Sequence, residues 1–174
     1  MWGCAALPEP SSDLPTVEPN APLALAAEWA DRGVALPEGV VFIERDVTGK
    51  EVRYTADEKY CDLPIVVLAN GYSYSAAEYF AAVLQEEGRA CFIGEPTTGK
   101  GEGQSTFTLS DGSCVSFSTI KYFTPAGVSI GDQGGIQPDI AIELTDEQIV
   151  AIGTVEAEDD PQIVAAMDYL TGKN

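Results

Sequence analysis

Apolar and polar residues alternate along this chain in patterns that predict both strands and helices. The continuous apolar run Ile65 to Ala69 is typical of a strand buried on both faces. A helix is predicted from about Ser75 to Glu87, where Gly88 ends it, and a second apolar strand from Arg89 to Ile93. A right-handed crossover in such a strand–helix–strand unit places the two strands parallel and close together.

Shorter alternating segments surround this unit and predict hairpins. Strands at Val40 to Glu44 and at Glu51 to Thr55 flank one turn, and strands at Ser105 to Leu109 and at Cys114 to Phe123 flank another. The glycine-rich segment Gly94 to Gln104 is predicted to be a loop. Together these patterns predict an α/β fold with a parallel strand–helix–strand unit plus hairpins.

The two ends of the chain differ in character. Residues 1–22 contain five prolines and predict an irregular N-terminal arm, whereas residues 23–174 form the predicted domain, beginning with a helix at Leu23 to Arg32. The elements predicted after the hairpins are a turn region at Gly131 to Pro138, a strand at Ile140 to Leu144, and helices that start after Thr145 and Asp160.

Composition and charge exclude several classes of function. The net charge of −19 argues against nucleic acid as a partner, because phosphates need a basic surface, and it also disfavours anionic membranes. No apolar run approaches the length of a membrane span. The four cysteines are scattered without a C-x-x-C pair, so no metal site is expected, and their even number leaves the redox compartment undecided.

The chain contains no histidine, and this narrows the possible chemistry. A Ser-His-Asp or Cys-His mechanism cannot be built within it, so a hydroxyl nucleophile would need another side chain as its base. The candidates are five lysines, at positions Lys50, Lys59, Lys100, Lys121 and Lys173.

Two complementary groups are predicted to meet at one edge of the parallel sheet. The loop after the first apolar strand carries Ser75 and the loop after the second carries Lys100, and loops after parallel strands gather at one edge. At a helix N-terminus, Ser75 would have the N–H of Ala76 beside it as an oxyanion donor. The alternative is purely structural: Ser75 as an N-cap that forms a capping box with Glu78.

Lys100 lies between Gly99 and Gly101, which is expected to let the backbone turn tightly around an enclosed side chain. A lysine base has to be neutral near pH 7, which requires its pKa to fall by roughly three units from about 10.4, and burial of the amine can supply that. Gln104, four residues further on, could orient the amine. The alternative is an ordinary solvated loop lysine.

Two other motifs suggest different chemistry. Residues Gly94 to Lys100 match the phosphate loop G-x-x-x-x-G-K, but Gly101 replaces the hydroxyl residue that holds magnesium, and a hairpin rather than a helix is predicted to follow. Ser118 and Lys121 match the S-x-x-K motif of penicillin-binding enzymes, yet strand alternation is expected to turn them to opposite faces.

Residues 63–104 closely resemble the tail-specific, or C-terminal processing, serine peptidases. The resemblance rests on S-x-S-A-x-E at Ser73 to Glu78, on G-E-x-T-x-G-K-G at Gly94 to Gly101, and on the glutamine four residues after the lysine. It continues through LSDGS (109–113), KYFTPAGVSI (121–130) and GGIQPDI (134–140).

The resemblance implies a crotonase-like α/β fold and a serine endopeptidase without metal or cofactor that acts on peptides or proteins through an acyl-enzyme. Transferred residue by residue, it makes Ser75 the nucleophile, Lys100 the general base and Gln104 the residue that orients the base. The family is usually exported to the cell envelope or periplasm, whereas no signal peptide is recognised in this chain.

This chain departs from the family pattern upstream of the motifs. The N-P-G-G segment, whose glycine resembles the second oxyanion donor, would fall at Asn20 to Leu23, where only the asparagine matches. The PDZ domain typical of the family is not recognised either. We therefore expect the C-terminal part of a longer or decayed enzyme with weak hydrolysis. The alternatives are a non-catalytic fragment that associates with other subunits and, more remotely, a nucleotide-binding domain.

Overall fold

The computed structural model describes residues 38–56 and 63–173. The predicted N-terminal arm, the helix predicted at Leu23 to Arg32 and the segment Asn20 to Leu23 lie outside the described residues. The strands are β1 (Gly39–Asp46), β2 (Glu51–Ala56), β3 (Ile65–Ala69), β4 (Ala90–Gly94), β5 (Glu102–Thr108), β6 (Cys114–Phe123) and β7 (Ile140–Ala141). The helices are α1 (Ala76–Glu86), α2 (Ile130–Gln133), α3 (Asp146–Ala151), a 3₁₀ turn (Ala157–Asp159) and α4 (Pro161–Leu170).

The strands form two sheets. Four of them pair in the order β2-β1-β6-β5, all antiparallel, and three pair in the order β3-β4-β7, all parallel. The predicted α/β fold is confirmed. Within residues 38–56 and 63–173, no helix has both the length and the hydropathy that crossing a membrane requires.

The parallel sheet carries helices on both faces, as its continuous apolar strands predict. Helix α1 covers one face, where its buried Leu84 and Val83 pack near Val67. Helix α4 covers the other face, where Ala166 packs with Cys91 and Ile93 of β4. The crossover therefore runs β3–α1–β4, and it aligns Ile65 with Ala90 at one end and Ala69 with Gly94 at the other.

An aromatic cluster joins helix α1 to the antiparallel sheet. The ring of Tyr79 meets those of Phe42 and Tyr122 edge-on, with centroids 5.3 and 5.6 Å away. Its hydroxyl donates to the Tyr122 carbonyl at 2.7 Å. Burial raises the pKa of Tyr79 to about 12, so the hydroxyl keeps its proton and remains a donor. This contact holds the start of α1 against the strand pair β1–β6.

Three elements differ from the pattern-based prediction. The predicted turn region after Gly131 contains the short helix α2, which starts at the N-cap Ser129. The last strand has two residues, because only Ile140 and Ala141 pair with β4. Strand β5 starts at Glu102, so Gln104 lies in a strand and not in a loop.

Candidate active site

Ser75 is the N-cap of α1 and sits at the end of a tight turn that follows β3. Its backbone angles are φ 60° and ψ −125°, and among the described residues it is the one non-glycine residue with positive φ. In the same turn, the carbonyl of Asn70 accepts from Ser73 N–H at 2.9 Å. This strand–turn–helix arrangement has the form of a nucleophile elbow, in which strained backbone presents a serine at the top of a sheet.

The positive φ of Ser75 predicts that this residue costs stability. Ser75→Gly and Ser75→Ala both remove the hydroxyl, but only glycine adopts this backbone conformation without strain. We expect the glycine variant to be more stable than the alanine variant by about 1 kcal/mol in urea unfolding.

A matched pair at Ser116, on exposed strand β6, serves as the control. There the order is expected to reverse, because glycine within a strand costs about 0.5–1 kcal/mol relative to alanine. If alanine is preferred at both positions, Ser75 is not strained.

Glu78 is a fully buried carboxylate, with 0% of its surface exposed. It lies on the packed face of α1, one turn before Ala82. Each of its oxygens accepts two hydrogen bonds. Oε1 accepts from Thr97 Oγ1 and from Gly99 N–H, both at 2.6 Å, and Oε2 accepts from Ser75 N–H and from Lys100 N–H, both at 2.8 Å. Four charge-assisted bonds compensate for the burial of the charge.

The Glu78 carboxylate joins the two candidate catalytic loops. Because the N–H groups of Ser75 and Lys100 end on one oxygen atom, their nitrogens are no farther apart than the two bonds together. The capping-box interpretation is therefore incomplete: Glu78 does bond the Ser75 N–H, but it also holds the lysine loop. The signal in the sequence is a carboxylate on the apolar face of an amphipathic helix.

Further bonds close the same junction. Thr98 donates its N–H to the Ser73 carbonyl at 3.1 Å and its hydroxyl to the Gly71 carbonyl at 2.8 Å. Buried Thr97 accepts from Ile136 N–H at 3.0 Å, which attaches the loop after α2. The loops at residues 70–75 and 94–101 thus meet at Glu78, and residues 129–136 join them through Thr97.

The expectation that flanking glycines enclose Lys100 is wrong, because Lys100 is exposed. The glycines serve backbone packing instead. A Cβ on Gly99 would lie 2.6 Å from the nitrogen of Gly135, and a Cβ on Gly101 would lie 2.6 Å from the nitrogen of Gly131. The tight turn therefore brings two backbones together and directs the lysine outward, where it lines a cleft of about 260 Å³.

The other predicted site residues lie around this junction. Ala76 is the first residue of α1, where a helix leaves N–H groups without an internal acceptor. Gln104 is exposed and pairs across the sheet with Ser118, a residue that lines the Lys100 cleft. Hydrogen bonds between the side chains of Ser75, Lys100 and Gln104 stay predictions.

The expectation that Ser118 and Lys121 face opposite sides is also wrong, since both line the cleft. Register accounts for the difference. Gly103 pairs with Ile120 and Gln104 with Ser118, so β6 has one extra residue, Thr119. Such a bulge interrupts the alternation of faces. Lys121 makes an ion pair with Asp132, which raises the pKa of Lys121 and lowers that of Asp132.

The phosphate-loop motif is followed by strand β5 and not by a helix. Its lysine therefore has no helix N-terminus behind it to complete a phosphate cradle. The position of Lys100 beside Ser75, rather than at a helix start, weighs against the nucleotide-binding alternative.

Comparisons with known proteins agree on one family. The family model described as Peptidase family S41 matches residues 24–142. The carboxyl-terminal-processing protease of Synechocystis sp. is 38% identical over 138 residues, which are 79% of this chain and 31% of that protein. The carboxy-terminal-processing protease of Bartonella bacilliformis is 46% identical over 88 residues, which are 50% of this chain and 19% of that protein.

A solved structure points the same way. The photosystem II D1 C-terminal processing protease superposes with a TM-score of 0.58 at 35% identity, covering 66% of this chain and 30% of that one. The chain thus spans less than a third of the length of each of these relatives.

Proposed function

This chain belongs to peptidase family S41, and on that premise we propose that it hydrolyses peptide bonds with Ser75 as nucleophile and Lys100 as general base. The observation that carries the proposal is the shared carboxylate of Glu78, which bonds the backbone of both residues. A hydroxyl and an amine on adjoining backbones suit the pairing of nucleophile and base, in a chain without histidine.

The reaction is acyl transfer in two steps. Ser75 Oγ attacks the scissile carbonyl carbon while Lys100 Nζ takes the hydroxyl proton, and the same proton then passes to the leaving amine. Water next attacks the ester on Ser75 and gives a proton to Lys100. Lys100 passes this proton to Ser75 Oγ as the bond to the acyl group breaks, so the acid product leaves and both residues return to their starting state. In both tetrahedral intermediates, the N–H of Ala76 donates to the oxyanion.

The exposure of Lys100 has a consequence for this mechanism. A general base has to be neutral, and desolvation of an amine favours its neutral form. A peptide bound over the cleft excludes water from the amine and favours its neutral form. The proposal assigns to Gln104, whose cross-strand partner Ser118 lines the cleft, the role of orienting the amine once it is covered.

We extend the proposal to substrate and domain organisation. The relatives are named for carboxyl-terminal processing, so the proposed substrates are proteins that are cleaved near their C-termini. Residues 23–174 then form the C-terminal part of a catalytic domain. An upstream region would supply a PDZ domain and the second oxyanion donor, for which Asn20 to Leu23 lacks the glycine pair.

The experiment that tests the proposal is labelling with a fluorophosphonate, which phosphonylates activated serines with loss of fluoride. The native chain is expected to incorporate one equivalent at Ser75, and Ser75→Ala to incorporate none. Ser118→Ala, which removes the serine that lines the cleft, is the matched control and is expected to label like the native chain. Unlabelled native chain would favour the non-catalytic fragment, and labelling lost in Ser118→Ala would move the nucleophile to β6.

A further inference from the structure

The cleft beside Lys100 is lined by charges of both signs. Lys100 and Lys121 bring two amines, and Glu102 and Asp132 bring two carboxylates. A free carboxylate next to an amine stabilises its ammonium form and opposes its use as a base. The proposed function, on which this inference rests, therefore requires that these carboxylates be kept away from Lys100.

Lys121 is the residue placed to do this. Its Nζ donates to both oxygens of Asp132, at 2.9 and 3.3 Å. It also lies directly across the β5–β6 pair from Glu102, and directly opposed residues share one face of a sheet. The Lys121 ammonium thus contacts the Asp132 carboxylate and lies on the same face of the sheet as Glu102.

The bulge at Thr119 brings Ser118 to the same cleft as Lys121. With strict alternation, Lys121 and Ser118 could not line the same cleft, and the extra residue in β6 turns both toward it. The side chain of Lys121 is 46% exposed and that of Asp132 is 64% exposed, so water screens the pair and its influence is moderate.

We propose that Lys121 is a positioning residue that holds the cleft carboxylates, Asp132 above all, and so leaves the amine of Lys100 free to act as the base. It does not exchange protons itself, because its ion pair with Asp132 keeps it an ammonium. The charged groups that line the cleft together with Lys100 are Glu102 on β5, Lys121 on β6 and Asp132 on α2, and the Glu78 carboxylate of α1 accepts from the Lys100 backbone N–H.

The charges in the cleft predict the direction in which each substitution moves the titration of Lys100. Lys121→Met leaves Lys100 as the one ammonium in the cleft with Glu102 and Asp132, which favours the protonated amine and moves its titration to higher pH. Asp132→Asn leaves Lys121 uncompensated, which favours the neutral amine and moves the titration to lower pH. The double variant removes both effects, and Lys121→Arg keeps the ion pair.

The test measures the titration of Lys100 directly. Acetic anhydride acylates only neutral amines, so the rate of Lys100 acetylation against pH, followed by mass spectrometry, gives the midpoint. The background is Ser75→Ala, so that no acyl-enzyme interferes. We expect a midpoint about 0.5 unit higher in Lys121→Met and about 0.5 unit lower in Asp132→Asn. In the variant that combines Lys121→Met with Asp132→Asn, and in Lys121→Arg, the midpoint is expected to equal that of the Ser75→Ala background within experimental error.

Hydrolysis gives the second measurement, in chains that retain Ser75. Since half a unit is about threefold in the fraction of neutral amine, turnover at pH 7 should fall about threefold in Lys121→Met and rise about threefold in Asp132→Asn. A merely structural role would lower both. The inference would be overturned by equal midpoints of Lys100 acetylation in all variants, or by shifts of the same sign in Lys121→Met and Asp132→Asn. Full turnover in Lys100→Arg would instead overturn the proposed function, and it would leave those midpoints unchanged.

Discussion

Replacing Lys100 by arginine is expected to lower peptide hydrolysis by at least about 10²–10⁴-fold, the usual contribution of a general base. Arginine keeps the positive charge and the length of the side chain, but it cannot lose its proton at neutral pH. The native chain should show turnover that rises with pH, because the chain has no histidine and the lysine amine must be neutral to accept the proton.

The measurement is turnover of an unstructured fluorogenic peptide between pH 6 and 10, together with the rate of fluorophosphonate labelling. The second readout reports activation of Ser75 even if hydrolysis of the acyl-enzyme is slow. Lys50→Arg, in the exposed turn between β1 and β2, is the matched control and should leave both rates unchanged. Full turnover in Lys100→Arg would mean that another group takes the serine proton.

Substitution of Glu78 is expected to damage stability and labelling together. In Glu78→Ala, four donors around a fully buried position lose their acceptor, and each buried donor left unpaired costs about 1–3 kcal/mol. We expect a loss of at least about 3 kcal/mol in urea unfolding, which is a large share of the stability of a typical domain. Glu78→Gln should also destabilise, because its NH₂ group meets N–H donors.

The decisive comparison for Glu78 is between stability and reactivity. Labelling of Ser75 is measured under conditions where the variant is still folded by circular dichroism, and we expect it to fall because both loops lose their common anchor. Glu87→Gln, at the exposed end of the same helix, controls for loss of a carboxylate. A folded Glu78→Gln chain that labels at the native rate would reduce Glu78 to a purely structural role.

Local pattern was sufficient for the parallel unit of the fold. The run Ile65 to Ala69 forms a strand with the predicted bounds, in a sheet that carries helices on both faces. Its predicted burial on both faces is only partly met, because Leu68 is 39% exposed. Helix α1 follows within one residue of its predicted limits, since amphipathic periodicity and the stop at Gly88 act within a few residues. The resemblance to C-terminal processing peptidases is likewise confirmed at the level of the family.

Contacts between segments far apart in the chain could not be predicted from the local sequence pattern. The role of Glu78 depends on donors 19 to 22 residues further along, whose directions are fixed only when the loops pack. The exposure of Lys100 follows from the approach of residues 131–135, and the bulge at Thr119 from pairing with β5. A capping box and a glycine-flanked lysine have the same local sequence whether or not such partners exist.

The attachment of Thr97 to Ile136 has a consequence for the time at which the proposed enzyme becomes active. During synthesis, Ser75 and Lys100 leave the ribosome well before residues 129–136, which hold the lysine loop from behind. The parallel sheet is completed later still, when β7 pairs with β4. Helix α4, which packs on the second face of this sheet, is synthesised last. A nascent chain therefore carries the proposed nucleophile and base for dozens of residues before the junction around Glu78 and Thr97 can close.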